Sequence, residues 1–313
     1  MFRDLIALTL NPALDVSIWI ERLDPEEPVR AFRETVDPGG KAVNVARTLV
    51  SLGVPCDLFG LTGPGNAGRL EERLAREKIP FDFLPAQGFI RENLSVILSD
   101  GMLYKIDRPG IFVSKEDLER LAIRLASRLA EAELPLVIFS GSLPGGMEKE
   151  DYIGLIRLAA EKKALFAIDT AFLSEADIRE LHPFAIKPNR VELEQLAGTK
   201  FSGLEEAASY AKSLARDVSH VLVSLGENGI LYAGGKRSFH VTVPKVNAIS
   251  PVAAGDTALA GFLAALSRGD KTEEAVRFAA ACGTASVTKE GTARISPEDG
   301  RKVLPLVSFP RKI

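Results

Sequence analysis

The chain has 313 residues, 46% hydrophobic and 26% charged, the balance of a globular protein with a large core rather than of a disordered or fibrous one. Its 39 basic and 42 acidic residues give a net charge of -3 and are spread along the chain, which leaves no electrostatic footprint for nucleic acid and points to small-molecule chemistry. No apolar stretch approaches the roughly 20 residues needed to cross a bilayer. The N-terminal Met1-Phe2-Arg3-Asp4-Leu5-Ile6 runs straight into a strand pattern, so a cytoplasmic protein without membrane association is expected. Two cysteines, Cys56 and Cys282, suit a reducing compartment better than a disulfide framework, and both read as core residues.

In chain order, the segment Thr9-Leu10-Asn11-Pro12-Ala13-Leu14-Asp15 puts a carboxylate just past the first strand, where it can accept hydrogen bonds from two sugar hydroxyls. Residues 14 to 37 and 91 to 107 contain short β-type stretches, such as Val16-Ser17-Ile18-Trp19-Ile20 and Leu94-Ser95-Val96-Ile97-Leu98, with a turn at Ser99-Asp100-Gly101. They predict a small sheet outside the main one, acting as a lid that excludes water. Exposed Trp19 and Ile20 in so small a sheet would suit a homodimer formed through it. Between them, Pro38-Gly39-Gly40-Lys41-Ala42-Val43-Asn44 places a diglycine before a helix, with Lys41 and Asn44 one turn apart on one face. The turn Gly63-Pro64-Gly65-Asn66-Ala67-Gly68 satisfies G-x-G-x-x-G between a strand and a helix, the form of a dinucleotide fingerprint. Pro64 in the turn and the missing acidic strand end about 20 residues on argue against it.

From about residue 45 onward strand-length apolar runs alternate with helical patterns, which predicts a layered α/β sandwich around a mostly parallel sheet, as one domain spanning 1–313. Leu118, Leu121, Leu125 and Leu129 mark a helix before the strand Leu136 to Ser140. That strand and the three that follow end on Ser140, Asp169, Lys187 and Ser224. Ligands of open α/β sheets bind beyond the carboxyl ends of strands, so these four converge on one crevice, unless they merely begin loops. Last comes Ala253-Ala254-Gly255-Asp256-Thr257, small residues opening a helix whose N–H groups can face a phosphoryl group. The carboxylate of Asp256 suits a general base there, and equally a helix cap. The sequence contains no G-x-x-x-x-G-K-[ST] loop and no zinc-ligand spacing.

Taken together, Thr9 to Asp15, Gly39-Gly40-Lys41, Ser140-Gly141-Ser142-Leu143-Pro144, Lys187-Pro188-Asn189, Glu192, Ser224-Leu225-Gly226 with Gly229, and Ala254-Gly255-Asp256 occur in order over nearly the whole chain. The chain resembles the ribokinase-like phosphofructokinase-B family, in the branch of 1-phosphofructokinase and tagatose-6-phosphate kinase. The resemblance implies a three-layer α/β/α sandwich with a β-sheet lid, ATP with Mg²⁺, and phosphoryl transfer to a phosphorylated ketohexose. By that resemblance Asp256 is the catalytic base and the N–H groups of Ala253, Ala254, Gly255 and Asp256 form the anion hole. Asp15, Gly39, Gly40, Lys41, Asn44 and Ser140 meet the sugar, while Arg91, with Lys41 and Arg30, meets its phosphate. Lys187, Asn189, Ser224, Gly226, Gly229 and Cys282 serve ATP, and Glu192 reaches magnesium through water or phosphate. The family's usual first glycine of the anion hole is Ala253 here, a position that tolerates a methyl group if its φ is negative. Asp37-Pro38-Gly39-Gly40-Lys41 and Pro109-Gly110 point to fructose 1-phosphate, and Ser250-Pro251-Val252 to tagatose 6-phosphate, with 6-phosphofructokinase a further option. A non-catalytic sugar-phosphate-binding protein and a dinucleotide-dependent oxidoreductase are the readings from other classes.

Overall fold

The computed structural model describes residues 2–292 and 294–313. The chain opens with β1 (Leu5–Thr9), fully buried, then β2 (Ala13–Ile20) and β3 (Ala31–Gly39). Helix α1 (Lys41–Ser51) leads to β4 (Asp57–Thr62), α2 (Ala67–Arg76) and β5 (Phe81–Pro85). Strands β6 (Arg91–Leu98) and β7 (Leu103–Ile106) follow, and from there helices and strands alternate: α3 (Lys115–Glu131), β8 (Leu136–Ser140), α4 (Lys149–Glu161), β9 (Leu165–Asp169), α5 (Glu175–Leu181), β10 (Ala185–Ile186). Helices α6 (Arg190–Ala197) and α7 (Leu204–Leu214) precede β11 (His220–Ser224), β12 (Ile230–Gly234) and β13 (Arg237–Val241). The chain closes with α8 (Ala254–Ser267), α9 (Thr272–Ser286), α10 (Pro297–Val303) and β14 (Arg311–Lys312).

The main sheet has ten strands in the order β14-β13-β12-β11-β10-β9-β8-β1-β4-β5. It is parallel from β11 to β5 and antiparallel over the last three at the other edge. The mostly parallel, helix-covered sheet expected from the alternation is therefore present. The antiparallel β12 and β13 lie beyond it, joined by short turns that need no crossover helix, and β14, reached only after α8 to α10, adds to the outer edge of β13. Both faces are covered. Residues of α1, α2, α8 and α9 fill one core, while those of α3 to α7 fill the other. Leu121, Leu125 and Leu129 of α3 are buried as their spacing predicts.

The order of strands also fixes where a site can form. Strand β1 sits between β8 and β4, so the chain direction of the connections reverses beside it, which is where open α/β sheets bind ligands. Above the carboxyl ends lies the second sheet, in the order β3-β2-β6-β7, built from the two segments expected to form a lid. Its exposed apolar residues are not the ones anticipated: Ile20 is 5% exposed, and Trp19 is partly covered by the guanidinium of Arg33 at 4.2 Å from its ring centre. Exposed instead are Phe32, Tyr104 and Ile106. No helix among the described residues is long and apolar enough to cross a membrane.

Candidate active site

A cavity of about 660 Å³ opens between the carboxyl ends of the main sheet and the lid. Its floor is the start of α8. Ala253 has φ +60°, so the condition of a negative φ at this position is not met: an alanine occupies the left-handed region that glycine fills without strain. This turn swings Ala254, Gly255 and Asp256 into the cavity wall. A methyl group on Gly255 would stand 2.9 Å from Lys187 Nζ, so the absence of a side chain here admits the lysine.

Asp256 is 6% exposed and accepts a hydrogen bond from Asn44 Nδ2 at 2.9 Å. No side chain caps α8, so the cap reading of Asp256 is not realised. Burial pushes its carboxyl well above the usual range, to about 7, and the negative charge of Asp169 adds to this; Asn44, Lys187 and Lys41 pull the other way. A carboxylate poised near neutrality is suited to taking a proton.

Asp169, at the end of β9, holds the two lysines of the site. Its side chain is 1% exposed; Lys41 Nζ lies 3.2 Å from Oδ1 and Lys187 Nζ 3.3 Å from Oδ2. The second contact has the distance of an ion pair without the angles of a hydrogen bond, since Oδ2 has no hydrogen-bond partner. Lys41 therefore faces Asp169 and, at 3.9 Å, Glu192, rather than the lid where its expected contact with the sugar's phosphate would be. Asn189 and Glu192 make the capping box of α6: Glu192 N–H donates to Asn189 Oδ1 at 2.9 Å, and Asn189 N–H to Glu192 Oε2 at 2.8 Å. Only Oε1 of Glu192 is left to face the cavity and Lys41.

The lid side carries Asp15, whose Oδ1 accepts from Asn93 Nδ2 at 2.9 Å and whose carboxyl is raised by burial. Arg91 lies close to Asp107 and Asp15, and its buried Nε has no partner.

Of the expected site residues, Asp15, Gly40, Lys41, Asn44, Arg91, Lys187, Asn189, Ser224 and the Ala253 to Asp256 turn line this one cavity, with Glu192. The others stand elsewhere. Arg30 is exposed in the chain between β2 and β3 and does not line the cavity. Ser140 is buried and does not line the cavity, and its hydroxyl donates to Asp169 O at 3.4 Å. Gly39 acts indirectly: a Cβ there would meet the Asp15 carboxylate at 2.4 Å. Gly226 and Gly229 shape the turn after β11; Gly229 has φ +91°, and a Cβ would lie 2.0 Å from Val241 O. Cys282 is fully buried against Gly261 and Gly300, which makes it a core residue and not a nucleotide contact. The Gly63 to Gly68 turn is filled by the protein itself, since a Cβ on Gly65 would collide with the Phe89 ring at 2.4 Å and one on Gly63 with the backbone of Phe89 at 2.6 Å. Close packing explains its glycines.

Sequence reasoning missed Asn93, Ser17, Ser95, Lys105 and Asp107, together with Glu290 to Thr292, all of which line the cavity. The alternation Arg91, Asn93, Ser95, Ile97 along β6 was a usable signal for the first of these, because residues two apart share a face of a strand. Nothing local marked residues 290–292.

Comparison with known proteins adds three findings. The sequence profile of the pfkB family carbohydrate kinases matches residues 8–299. A 1-phosphofructokinase of Borreliella burgdorferi is 30% identical over 299 residues, covering 95% of each chain, and a tagatose-6-phosphate kinase of Staphylococcus epidermidis is 28% identical, covering 94% of this chain and 95% of its own. The crystal structure of phosphofructokinase-2 from Escherichia coli, in complex with substrates and products, superposes with a TM-score of 0.89 at 27% identity, covering 96% of this chain and 98% of that one.

Proposed function

Because the chain belongs to the pfkB family of carbohydrate kinases, we propose that it transfers the γ-phosphoryl group of ATP to a hydroxyl of a phosphorylated ketohexose, with fructose 1-phosphate as substrate and fructose 1,6-bisphosphate as product. The observation that carries this reading is Asp256: a buried carboxylate of raised pKa at a helix start, facing a cavity that also holds Asn44, Lys41 and Lys187.

The chemistry follows from that placement. The attacking hydroxyl gives its proton to the Asp256 carboxylate as its oxygen bonds the γ-phosphorus and the bond to the ADP oxygen breaks. The N–H groups at the start of α8 supply fixed partial positive charge to the phosphoryl oxygens, at no reorganisation cost during the reaction. Lys41 and Lys187, both held by Asp169, set two positive charges beside the same group. Asp15 with Asn93 orients the sugar hydroxyls. Mg²⁺ fits this site at Glu192, whose Oε1 the capping box of α6 leaves free, since Mg²⁺ takes one or two carboxylates together with its own waters and nucleotide phosphates. Glu192 Oε1 would hold it through water, and the ion would neutralise charge on the phosphate oxygens.

Tagatose 6-phosphate is the second reading, favoured by Ser250-Pro251-Val252 at the cavity wall and by the name of the Staphylococcus relative; fructose 6-phosphate is the third. An ADP-release assay coupled to NADH oxidation, run with all three sugar phosphates, separates them. Highest kcat/KM with fructose 1-phosphate is expected, and no ADP release with any of them would overturn the kinase reading. The same reading treats residues 1–313 as one kinase unit acting in the cytoplasm, where ATP and sugar phosphates are found. The lid's exposed Phe32, Tyr104 and Ile106 support a homodimer formed through it.

A further inference from the structure

A second cavity, of about 630 Å³, opens at the other end of β11 from Ser224 and shares no residue with the active-site cavity. Its volume falls in the range of small-molecule sites, roughly 300–1,000 Å³. Arg216 stands on the chain after α7, Lys236 lies in the tight turn between β12 and β13, and Arg237 opens β13. Tyr232 of β12 and His220 at the start of β11 also line it. Tyr232 is 3% exposed, and a Cβ on Gly234 would stand 2.0 Å from its hydroxyl, so it is the missing side chain there that leaves room for the hydroxyl at the cavity wall.

The charges of this wall do not cancel. Asp217 is taken up by Arg179 at 2.5 Å, and Arg237 by Glu273 at 2.6 Å. Arg216 and Lys236 make no ion pair among the described residues. The smaller cavity beside β1 and β4 differs, since its Arg3, Arg124 and Arg128 each face a carboxylate. So does the one behind the turn at Ala253, where Arg47 and Arg294 both face Glu77. Two uncompensated cations suit the charge of about −1.5 to −2 that a phosphate ester carries at pH 7.

The floor supplies a third donor. His220 Nδ1 lies 2.8 Å from the Tyr232 hydroxyl, and burial pushes the imidazole down to about 4, so the ring is neutral and carries its one proton on either nitrogen. With the proton on Nδ1 the ring donates to Tyr232, whose own O–H is then free to turn to an anion. With it on Nε2 the hydroxyl donates to the ring instead. An anion in the cavity selects the first arrangement.

We infer that Arg216, Lys236 and the Tyr232 hydroxyl form a binding site for a small phosphorylated metabolite, remote from the active-site cavity. A guanidinium can meet two phosphate oxygens at once, an ammonium group meets a third as a point charge, and the hydroxyl shares one of these from below. The inference stands apart from the kinase reading, because none of the three residues lines the active-site cavity.

The probe is inorganic phosphate, added at constant ionic strength so that screening of the exposed cations does not mimic binding. The chain has three histidines, so the ring C–H signal of His220 in proton NMR is the one that survives both His182→Gln and His240→Gln. That signal should shift saturably with phosphate in the parent, and far less with acetate. The double variant Arg216→Ala, Lys236→Ala changes two exposed side chains and leaves the core untouched. It should weaken phosphate binding by about tenfold or more, the loss of charge-assisted contacts. Tyr232→Phe keeps the ring and should weaken it by about three- to tenfold, the worth of one neutral hydrogen bond. No saturable shift in the parent, an unchanged affinity in either variant, or acetate binding as tightly as phosphate overturns the inference.

Discussion

Asp256, the proposed base, would set function against stability. Its carboxyl has a reference value of 3.8 and is raised to about 7 in the fold, so between those values the folded chain holds a proton that the unfolded chain has released. Stability therefore falls as pH rises through that window. Asp256→Asn removes this cost, and the variant should melt higher than the parent at pH 8 but not at pH 3, by calorimetry at both. The same substitution cannot accept a proton, so kcat should fall by about 10² to 10⁴ while both substrates still bind. In the parent, kcat/KM should drop about tenfold per unit as pH falls below about 7, since this ratio reports the free enzyme's base. Near wild-type turnover by folded Asp256→Asn would remove the base assignment. Two neighbours make further predictions. Ala253→Gly should stabilise the fold by about 0.5–1 kcal/mol in urea unfolding, the strain of left-handed alanine less the added freedom of glycine when unfolded. Arg91→Ala should raise the KM for the sugar phosphate by about ten- to a hundredfold, the loss of a charge-assisted contact of roughly 1.5–3 kcal/mol, and leave that for ATP nearly unchanged.

At the scale of elements, the site depends on loops that the chain brings together from distant positions. Arg47 on α1 has a side chain only 4% exposed, and its guanidinium forks onto Glu77 at 2.7 and 2.8 Å. The same group donates to Pro38 O at 2.9 Å and Thr292 O at 3.1 Å. It thereby ties the diglycine turn ahead of α1 to the segment after α9 that lines the cavity. Arg47→Ala takes away this charge-assisted network, leaving Glu77 with Arg294 at 3.4 Å and the Pro38 and Thr292 carbonyls without their donor, and should cost about 1.5–3 kcal/mol in chemical denaturation. A loss under 1 kcal/mol would show that water replaces the guanidinium readily. Arg33 of β3 forks onto Glu290 at 2.5 and 3.3 Å in the same segment, so the lid is also joined to the body there.

For the molecule as a whole, the proposal to test is assembly through the lid. Its outer face shows Phe32, Tyr104 and Ile106, at 64, 42 and 50% exposure, while its inner face is occupied by the cavity. A four-stranded sheet with an apolar outer face is covered most simply by a second copy of itself. Sedimentation should find a dimer at micromolar concentration, and Ile106→Glu should shift it toward monomer; a monomeric parent at high concentration removes the dimer.

Much was legible before any coordinates, for reasons that are local. The strands Leu136–Ser140 and His220–Ser224 read correctly because a parallel strand buried on both faces is an uninterrupted apolar run. Gly40 and Gly255 could be placed at the site because a turn and a close approach each leave a glycine in the chain. Short β-type runs and a turn marked the lid, and the two-residue alternation along β6 groups Arg91, Asn93 and Ser95 on one face, but which face turns toward the cavity depends on how the sheet packs. Only tertiary structure paired Asn44 with Asp256, 212 positions away, and gave Asp169 its two lysines. It likewise set φ at Ala253 and moved Ser140, Arg30 and Cys282 out of the site. Composition and spacing record what each residue can do with its near neighbours, whereas the pKa of a buried carboxylate is set by burial and by charges that only the folded chain brings within reach.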